Sequence, residues 1–442
     1  MVVEAWLARA AQARPEHMAL QTPRGDWSYA ELYAAARVGA GELAGLGVDP
    51  GDRVAIALPG GLAFAQALHA CLLLGAVAVP VDLRLSAAER ARIAEGAVAL
   101  VREPLGEGPA PAFASAAHEH DLEATAVVIH TSGTTASPRP VELTYGNLLW
   151  SALGSAVALG LDPRERWLCA LPVSHVGGLS ILVRSAVYAT TAVVHERFEV
   201  DRALDALRTQ EVTLVSLVAT TLARLLDAGL GDPPALRCAL TGGGPVPAAL
   251  LERARAARVP VSLTYGLTEA SSQVTTTPVA AIDGDEVNAG PPLFCTRVRI
   301  AADEEILIQG PTVAPGGLAP DGWLHSGDLG RLDGHGRLLV TGRKADTIVS
   351  GGENVAPAEV EAVLEAHPDV LEAAVLGRSD PEWGEAVTAV VVARKGVVLQ
   401  ERELRDHCAR VLAAYKVPKR MTLTGDPLPR TPSGKLLRRE LP

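Results

Sequence analysis

Six short segments of this chain combine hydroxyls, glycines and single charges in patterns suited to holding a row of phosphates. In His130-Thr-Ser-Gly-Thr-Thr-Ala-Ser-Pro-Arg139, four hydroxyls surround Gly133 directly after the apolar run Ala126–Ile129. Side-chain and backbone donors gathered that closely can wrap a triphosphate, although a Ser/Thr turn with no ligand has the same look in isolation. Leu240-Thr-Gly-Gly-Gly-Pro245 and Thr264-Tyr-Gly-Leu-Thr-Glu-Ala270 each close another apolar run. Gly242, Gly243 and Gly244 let a planar base approach the backbone, Tyr265 can stack on it, and Glu269 is an isolated acid suited to Mg²⁺. Ser326-Gly-Asp328 and Thr341-Gly-Arg343 add an acid able to take both hydroxyls of a ribose, with a guanidinium beside it. Arg430-Thr-Pro-Ser-Gly-Lys435 sets an ammonium on a Gly-flanked turn, which on its own reads as a surface lysine.

Such segments need a frame to bring them together. Runs at Arg53–Leu58 and Ala76–Val81 flank a helical stretch, Leu62–Leu74, and Val54–Val81 carries no formal charge over 28 residues. That is long enough to cross a bilayer, but Pro59, Gly60 and Gly61 interrupt it, and a βαβ unit with a buried helix is the reading preferred over a membrane span. Strand-length runs recur at Ala126–Ile129, Val212–Val218, Leu236–Leu240 and Pro260–Thr264, with helical spacing at Asp201–Thr209, Thr220–Ala228 and Pro247–Ala257. The alternation predicts an α/β fold with a largely parallel sheet, helices on both faces, and ligands gathering where strands end. The polar motifs fall at those ends.

From about Glu304 the texture changes to short β-like pieces, EEILIQG, GWLHSGDLG and GRLLVTGR, separated by turns. Residues 343–442 hold 15 basic and 15 acidic side chains, so the first 342 hold 25 and 36, and the net −11 lies wholly in that larger part. All five lysines, Lys344, Lys395, Lys416, Lys419 and Lys435, are in the later part, against 35 arginines in the whole chain. We read 1–343 as a large N-terminal domain and 344–442 as a small α+β domain. Its basic end is either a solvated surface or a lid that carries positive charge to a polyphosphate held by the larger body.

At 442 residues and 48% apolar, the chain is large enough for two or three domains and too apolar for disorder. A net charge of −11 gives no general attraction to nucleic acid or an anionic membrane, so bound phosphate must be held locally. Five scattered cysteines without a C-x-x-C pair fit a reducing cytoplasm, and the N-terminus shows no export signal. Oligomeric state is open, a homodimer included.

Taken in order from Ser132 to Lys435, the motifs resemble the ANL superfamily of adenylate-forming enzymes, and the N-terminal WSYAELYAAA, GVDPGDRVAIALP and GAVAVPVD look like its opening pattern. The resemblance implies a large AMP-binding domain with mixed and parallel sheets flanked by helices, and a small mobile domain carrying a catalytic lysine. It implies that Thr131, Ser132, Gly133, Thr134, Thr135 and Arg139 hold the ATP phosphates. Gly242, Gly243, Gly244, Tyr265 and Gly266 would frame adenine, Thr268 and Glu269 would serve phosphate and Mg²⁺, and Asp328 and Arg343 would bind ribose. Lys435 would bridge the acyl carboxylate and the α-phosphate. After the small domain rotates, Ser350-Gly-Gly-Glu353, with Gly351 and Gly352, would line a tunnel for the thiol of coenzyme A.

Four positions depart from the superfamily pattern: Ala136, Arg139 and Pro140 in the first loop, and Ala345 at the hinge. Arg139 keeps a charge without the compact contact of a lysine, and Pro140 removes a backbone donor, so altered ATP affinity is expected. In Leu171-Pro-Val-Ser-His-Val-Gly-Gly-Leu-Ser-Ile-Leu-Val-Arg184, His175 resembles the residue that gates the acyl pocket. Together with Arg184, the Leu240–Pro245 run and the stretch Tyr265–Gln273, which includes Ser271, it most resembles the branch acting on an aromatic acid with a second carboxylate, which Arg184 would pair. His175 and Arg184 are nine residues apart and share a wall only if the helix starts after Gly177–Gly178. A structural ion pair for Arg184 is the alternative. No carrier domain follows Lys435, so free coenzyme A is the expected acceptor. A ligase for another aromatic or medium-chain acid, a carrier-loading enzyme and a non-catalytic nucleotide sensor stay open.

Overall fold

The structure is a computed structural model and describes residues 1–106, 119–131, 139–279, 287–350, 353–381, 383–430 and 436–442. The chain separates into two compact units: Met1–Gly243 with Arg253–Val298 and Ile308–Leu324, and Gly244–Glu252 with Arg299–Leu307 and His325–Pro442.

The uncharged stretch forms the βαβ unit its pattern predicts. Strands Arg53–Ile56 and Val77–Pro80 are parallel neighbours, and helix Leu62–Leu74 between them is buried from Phe64 onward. Gly75, left-handed at φ 77°, ends that helix and turns the chain into the second strand. No helix among the described residues is long and apolar enough to cross a membrane. These strands sit in a five-stranded sheet ordered 99–101, 53–56, 77–80, 125–131, 139–144, parallel except for its last strand.

An eight-stranded sheet is ordered 275–276, 261–265, 238–241, 214–217, 166–169, 191–194, 18–22, 25–28. Its six inner strands are parallel, and the four at 166–169, 191–194, 214–217 and 238–241 are buried almost throughout, so their runs read as continuous apolar stretches. Helices Val200–Thr209, Ala219–Asp227 and Ala248–Ala256 lie within a residue or two of the predicted spans.

In the second unit, strands 348–350, 353–355, 370–380, 384–393 and 420–424 form one sheet. Helices Pro357–Glu365 and Glu401–Ala409 supply Val360, Leu364 and Leu404 to a core of its own with Val375 and Val391. The late β-like pieces are strands Glu305–Gln309, Leu324–Leu332 and Leu338–Arg343.

Two of the first unit's buried histidines, His69 and His120, lie close together. His69 lies on the buried helix, and His120 stacks on Tyr145 at 4.3 Å and meets Trp6 edge-on at 4.7 Å. Burial pushes His69 down to about 4, while burial and then the nearby His69 push His120 down to about 3. Both are therefore neutral in the fold at pH values where the unfolded chain protonates them. Folding stability is accordingly full above the unfolded histidine value and falls as pH drops from about 6.5 toward 4, by about 1.4 kcal/mol per pH unit for each histidine. Urea unfolding of His69→Leu between pH 6.5 and 5 should show a shallower decline than the parent chain. An unchanged slope would remove His69 as a cause.

Candidate active site

The residues expected to frame a base come off two neighbouring strands. Cys238–Thr241 and Val261–Tyr265 run parallel with Thr241 opposite Leu263, so Gly242 and Tyr265 leave the sheet side by side. Both glycine positions are sterically required. A Cβ on Gly242 would lie 2.7 Å from the Thr264 carbonyl oxygen, and Gly243 has φ +79°. At Gly266 a Cβ would fall inside the Ser272 carbonyl oxygen, because the chain doubles back through Ser271 and Ser272, at φ 55° and 94°. Gly266→Ala should thus cost a few kcal/mol and weaken ATP binding, read as a lowered Tm and a raised KM for ATP. A variant as stable and active as the parent would contradict the packing.

Between these turns, Thr268–Ala270 forms one 3₁₀ turn, anchored where the Ala314 amide donates to the Glu269 carbonyl at 2.8 Å. The partly exposed Glu269 carboxylate pairs with no cation among the described residues. A lone carboxylate and the Thr268 hydroxyl suit Mg²⁺, which keeps waters and takes its remaining oxygens from phosphates. Among the described residues there is no cluster of three or more His, Cys, Asp or Glu side chains that could cage a metal.

The first loop joins antiparallel strands Thr125–Thr131 and Arg139–Thr144. Thr131 faces Arg139, and its hydroxyl donates to the Arg139 carbonyl at 3.3 Å. Ser132, Gly133, Thr134, Thr135 and Ala136 lie outside the described residues. Pro140 falls within the outer strand, opposite His130, rather than in the loop. That strand is the sheet edge, where a proline is tolerated.

On the acyl side the structure corrects one expectation. The helix runs Val176–Tyr188 with His175 as its N-cap, so it begins before Gly177–Gly178. Gly178 has no room for a side chain because the Pro172 carbonyl packs against it. Nine residues at 3.6 per turn carry Arg184 about half a turn away from His175, so the two do not share a wall. His175 Nε2 instead lies 2.9 Å from Arg84 Nη2 and 3.4 Å from Asp82 Oδ2. Arg84 in turn grips Asp82 through Nε at 2.8 Å and Nη2 at 2.5 Å. Burial alone would raise the Asp82 carboxyl, but the hydrogen bonds from Arg84 outweigh it and hold it well below the usual carboxylate range.

Arg184 is 2% exposed and donates to Ser151 Oγ at 3.2 Å, with its guanidinium 5.5 Å from the Trp167 ring centre. No carboxylate pairs with it among the described residues, and its buried Nε has no partner. Burial lowers its affinity for a proton, but an arginine stays charged even so. Ser271 joins the cluster indirectly: its carbonyl accepts from Ser151 at 2.5 Å and its hydroxyl donates to the Thr312 carbonyl at 2.8 Å. Its side chain is committed to the backbone.

In the second unit, Asp328 and Arg343 face each other across paired strands, with Arg343 Nε 2.8 Å from Asp328 Oδ1. Ala345 lies in the 3₁₀ turn Lys344–Asp346, and Lys344 contacts Asp303 at 2.6 Å and Glu305 at 3.2 Å. Strands Ile348–Ser350 and Glu353–Val355 pair on either side of Gly351 and Gly352, which, like Lys435, lie outside the described residues. Arg430 and Leu436 form an isolated antiparallel bridge.

Sequence reasoning did not single out Asp82, Arg84, Ser151 or Trp167, which the structure brings to His175 and Arg184. Asp82 lies two residues past the end of a buried parallel strand, where α/β folds place their ligands, and that was the available signal. Ser151 lies inside a helix and carries no local mark.

Residues 7–101 and 99–317 match the AMP-binding enzyme family, and 359–435 match the AMP-binding enzyme C-terminal domain. The chain therefore belongs to the AMP-binding enzymes, the adenylate-forming superfamily its motifs resemble. Among its relatives, the 2-succinylbenzoate–CoA ligase of Bacillus subtilis (strain 168) is 40% identical over 473 residues, covering 99% of this chain and 97% of the relative. The ligase of the same name from Geobacillus kaustophilus (strain HTA426) is 39% identical over 475 residues, covering 99% and 96%. Among solved structures, o-succinylbenzoate CoA synthetase from Bacillus subtilis with its acyl-adenylate intermediate matches at a TM-score of 0.92 and 38% identity, over 100% of this chain and 98% of the other. The same enzyme with ATP and magnesium ion matches at 0.89 and 37% identity, over 100% of both chains.

Proposed function

We propose that this chain is an AMP-forming 2-succinylbenzoate–CoA ligase of menaquinone biosynthesis. The observation that carries the substrate assignment is Arg184, a buried cation with one hydrogen bond and no carboxylate partner among the described residues. A buried guanidinium left unpaired is costly, and a substrate carboxylate seated against it would offset that cost while fixing which end of a diacid faces the nucleotide.

In the first half-reaction the succinyl carboxylate oxygen attacks the ATP α-phosphorus, and the bond to the β-phosphate bridging oxygen breaks to release pyrophosphate. Catalysis is mainly positioning plus charge stabilisation. The 131–139 loop holds the β- and γ-phosphates, Gly242 to Gly244 with Tyr265 and Gly266 frame adenine, and Asp328 and Arg343 hold ribose. Thr268 and Glu269 would hold Mg²⁺, which neutralises phosphate charge. Lys435 supplies the remaining cation between carboxylate and α-phosphate. In the second half-reaction the coenzyme A thiol loses its proton, its sulfur attacks the acyl carbonyl, and AMP leaves, with Gly351 and Gly352 lining the thiol approach. We place the functional boundary between the domains at Arg343–Lys344.

Pyrophosphate release and thioester formation, assayed with a panel of acids, test the assignment. Release with 2-succinylbenzoate and thioester formation on adding coenzyme A are expected. Release only with other acids, release without thioester, or no release would point to a different ligase, a carrier-loading enzyme or a nucleotide sensor respectively.

A further inference from the structure

Three side chains from two separate parts of the first unit meet at His175. Asp82 follows strand Val77–Pro80 of the five-stranded sheet, Arg84 comes two residues later, and His175 caps a helix that joins two strands of the eight-stranded sheet. We propose that Asp82 and Arg84 form a two-position seat that sets the tautomer and orientation of His175, making them positioning residues for acid binding. This rests on the ligase reading, in which His175 gates the acyl pocket.

A guanidinium has donors and no acceptor, so at 2.9 Å the Arg84 Nη2 must donate to His175 Nε2. Nε2 is then a lone pair, and the ring is neutral with its proton on Nδ1. Protonating Nε2 would set an N–H against the guanidinium and turn that contact into like-charge repulsion. The protonated nitrogen has an acceptor within a small movement, because Asp82 Oδ2 is 3.4 Å away. The neutral ring is thus held by Arg84 and the cationic ring by Asp82. Among the described residues, Asp82 and Arg84 are the charged groups in contact with His175.

Arg84 cannot drift, since its Nε and Nη2 grip both oxygens of the Asp82 carboxylate at 2.8 and 2.5 Å. Such a two-pronged grip fixes direction as well as distance. Hydrogen bonds from Arg84 hold the Asp82 carboxyl well below the usual carboxylate range, so the seat keeps its charge. The ring is about one-third exposed, so solvent protons reach it.

Two charge-removing variants should act in opposite directions, which a merely structural role would not produce. Asp82→Asn removes the carboxylate that stabilises the cationic ring, so the acidic limb of kcat/KM for the acid should move to lower pH. Arg84→Gln removes the repelling cation, so the limb should move to higher pH, each by about half a pH unit or more. Both should raise KM for the acid more than KM for ATP, and Arg84→Lys should restore part of the loss. Nitrogen-15 NMR of histidine-labelled protein, with His175→Gln used for assignment, reads the tautomer without any turnover. The Nδ1–H form is expected at pH 7.5. A predominant Nε2–H form, or limbs that stay put or shift together, would overturn the seat. Absence of pyrophosphate release from the parent chain would instead count against the ligase reading, and the NMR result would stand apart from it.

Discussion

Lys435→Ala should slow pyrophosphate release about 10²–10³-fold, the usual loss when one donor to a developing oxyanion is removed. Thioester formation from supplied acyl-adenylate should largely survive. The split follows from composition: residues 1–342 contain no lysine, so an ammonium at the α-phosphate must come from the C-terminal part. The first half-reaction drives an anionic carboxylate against an anionic phosphate and needs a cation between them, whereas the second needs access for a thiol. Rapid-quench measurement of pyrophosphate, set beside a thioester assay started from chemically made acyl-adenylate, checks the two steps separately. Equal loss of both would contradict the role given to Lys435.

Arg184→Ala should raise KM about 10²-fold for acids with a second carboxylate and leave benzoate-like monoacids nearly unchanged. The size reflects a charge pair formed out of water, beside Trp167 and Ser151, where little solvent screens it. Arg184→Gln keeps volume and some hydrogen bonding, so it separates lost packing from lost charge. It should resemble Arg184→Ala in selectivity while staying closer to the parent in Tm. A loss of equal size for mono- and diacids would leave Arg184 a structural residue.

Much of the frame was legible because parallel strands buried on both faces read as unbroken apolar runs. Leu62–Leu74 emerges with the bounds its pattern predicts, since Gly61 and Gly75 punctuate both ends. The nucleotide motifs were legible for a related reason: Gly242 and Gly266 leave no room for a side chain, and such constraints mark the sequence directly. The acyl side was harder to read. His175 and Arg184 sit on one continuous stretch, but the helix starts one residue past His175, and that phase decides which way each side chain points. Ser151 reaches Arg184 only through tertiary packing of two helices, and Asp82 reaches His175 from a different sheet. Contacts of this kind depend on how elements assemble, and no local period carries them.

The most direct measurement follows ATP labelled at the α-phosphate through a single turnover with 2-succinylbenzoate and Mg²⁺. A labelled 2-succinylbenzoyl-adenylate should build up before coenzyme A is added, then decay to AMP as the thioester appears at the same rate. Label that remains in ATP with this acid, or an adenylate that coenzyme A does not discharge, would contradict the assignment.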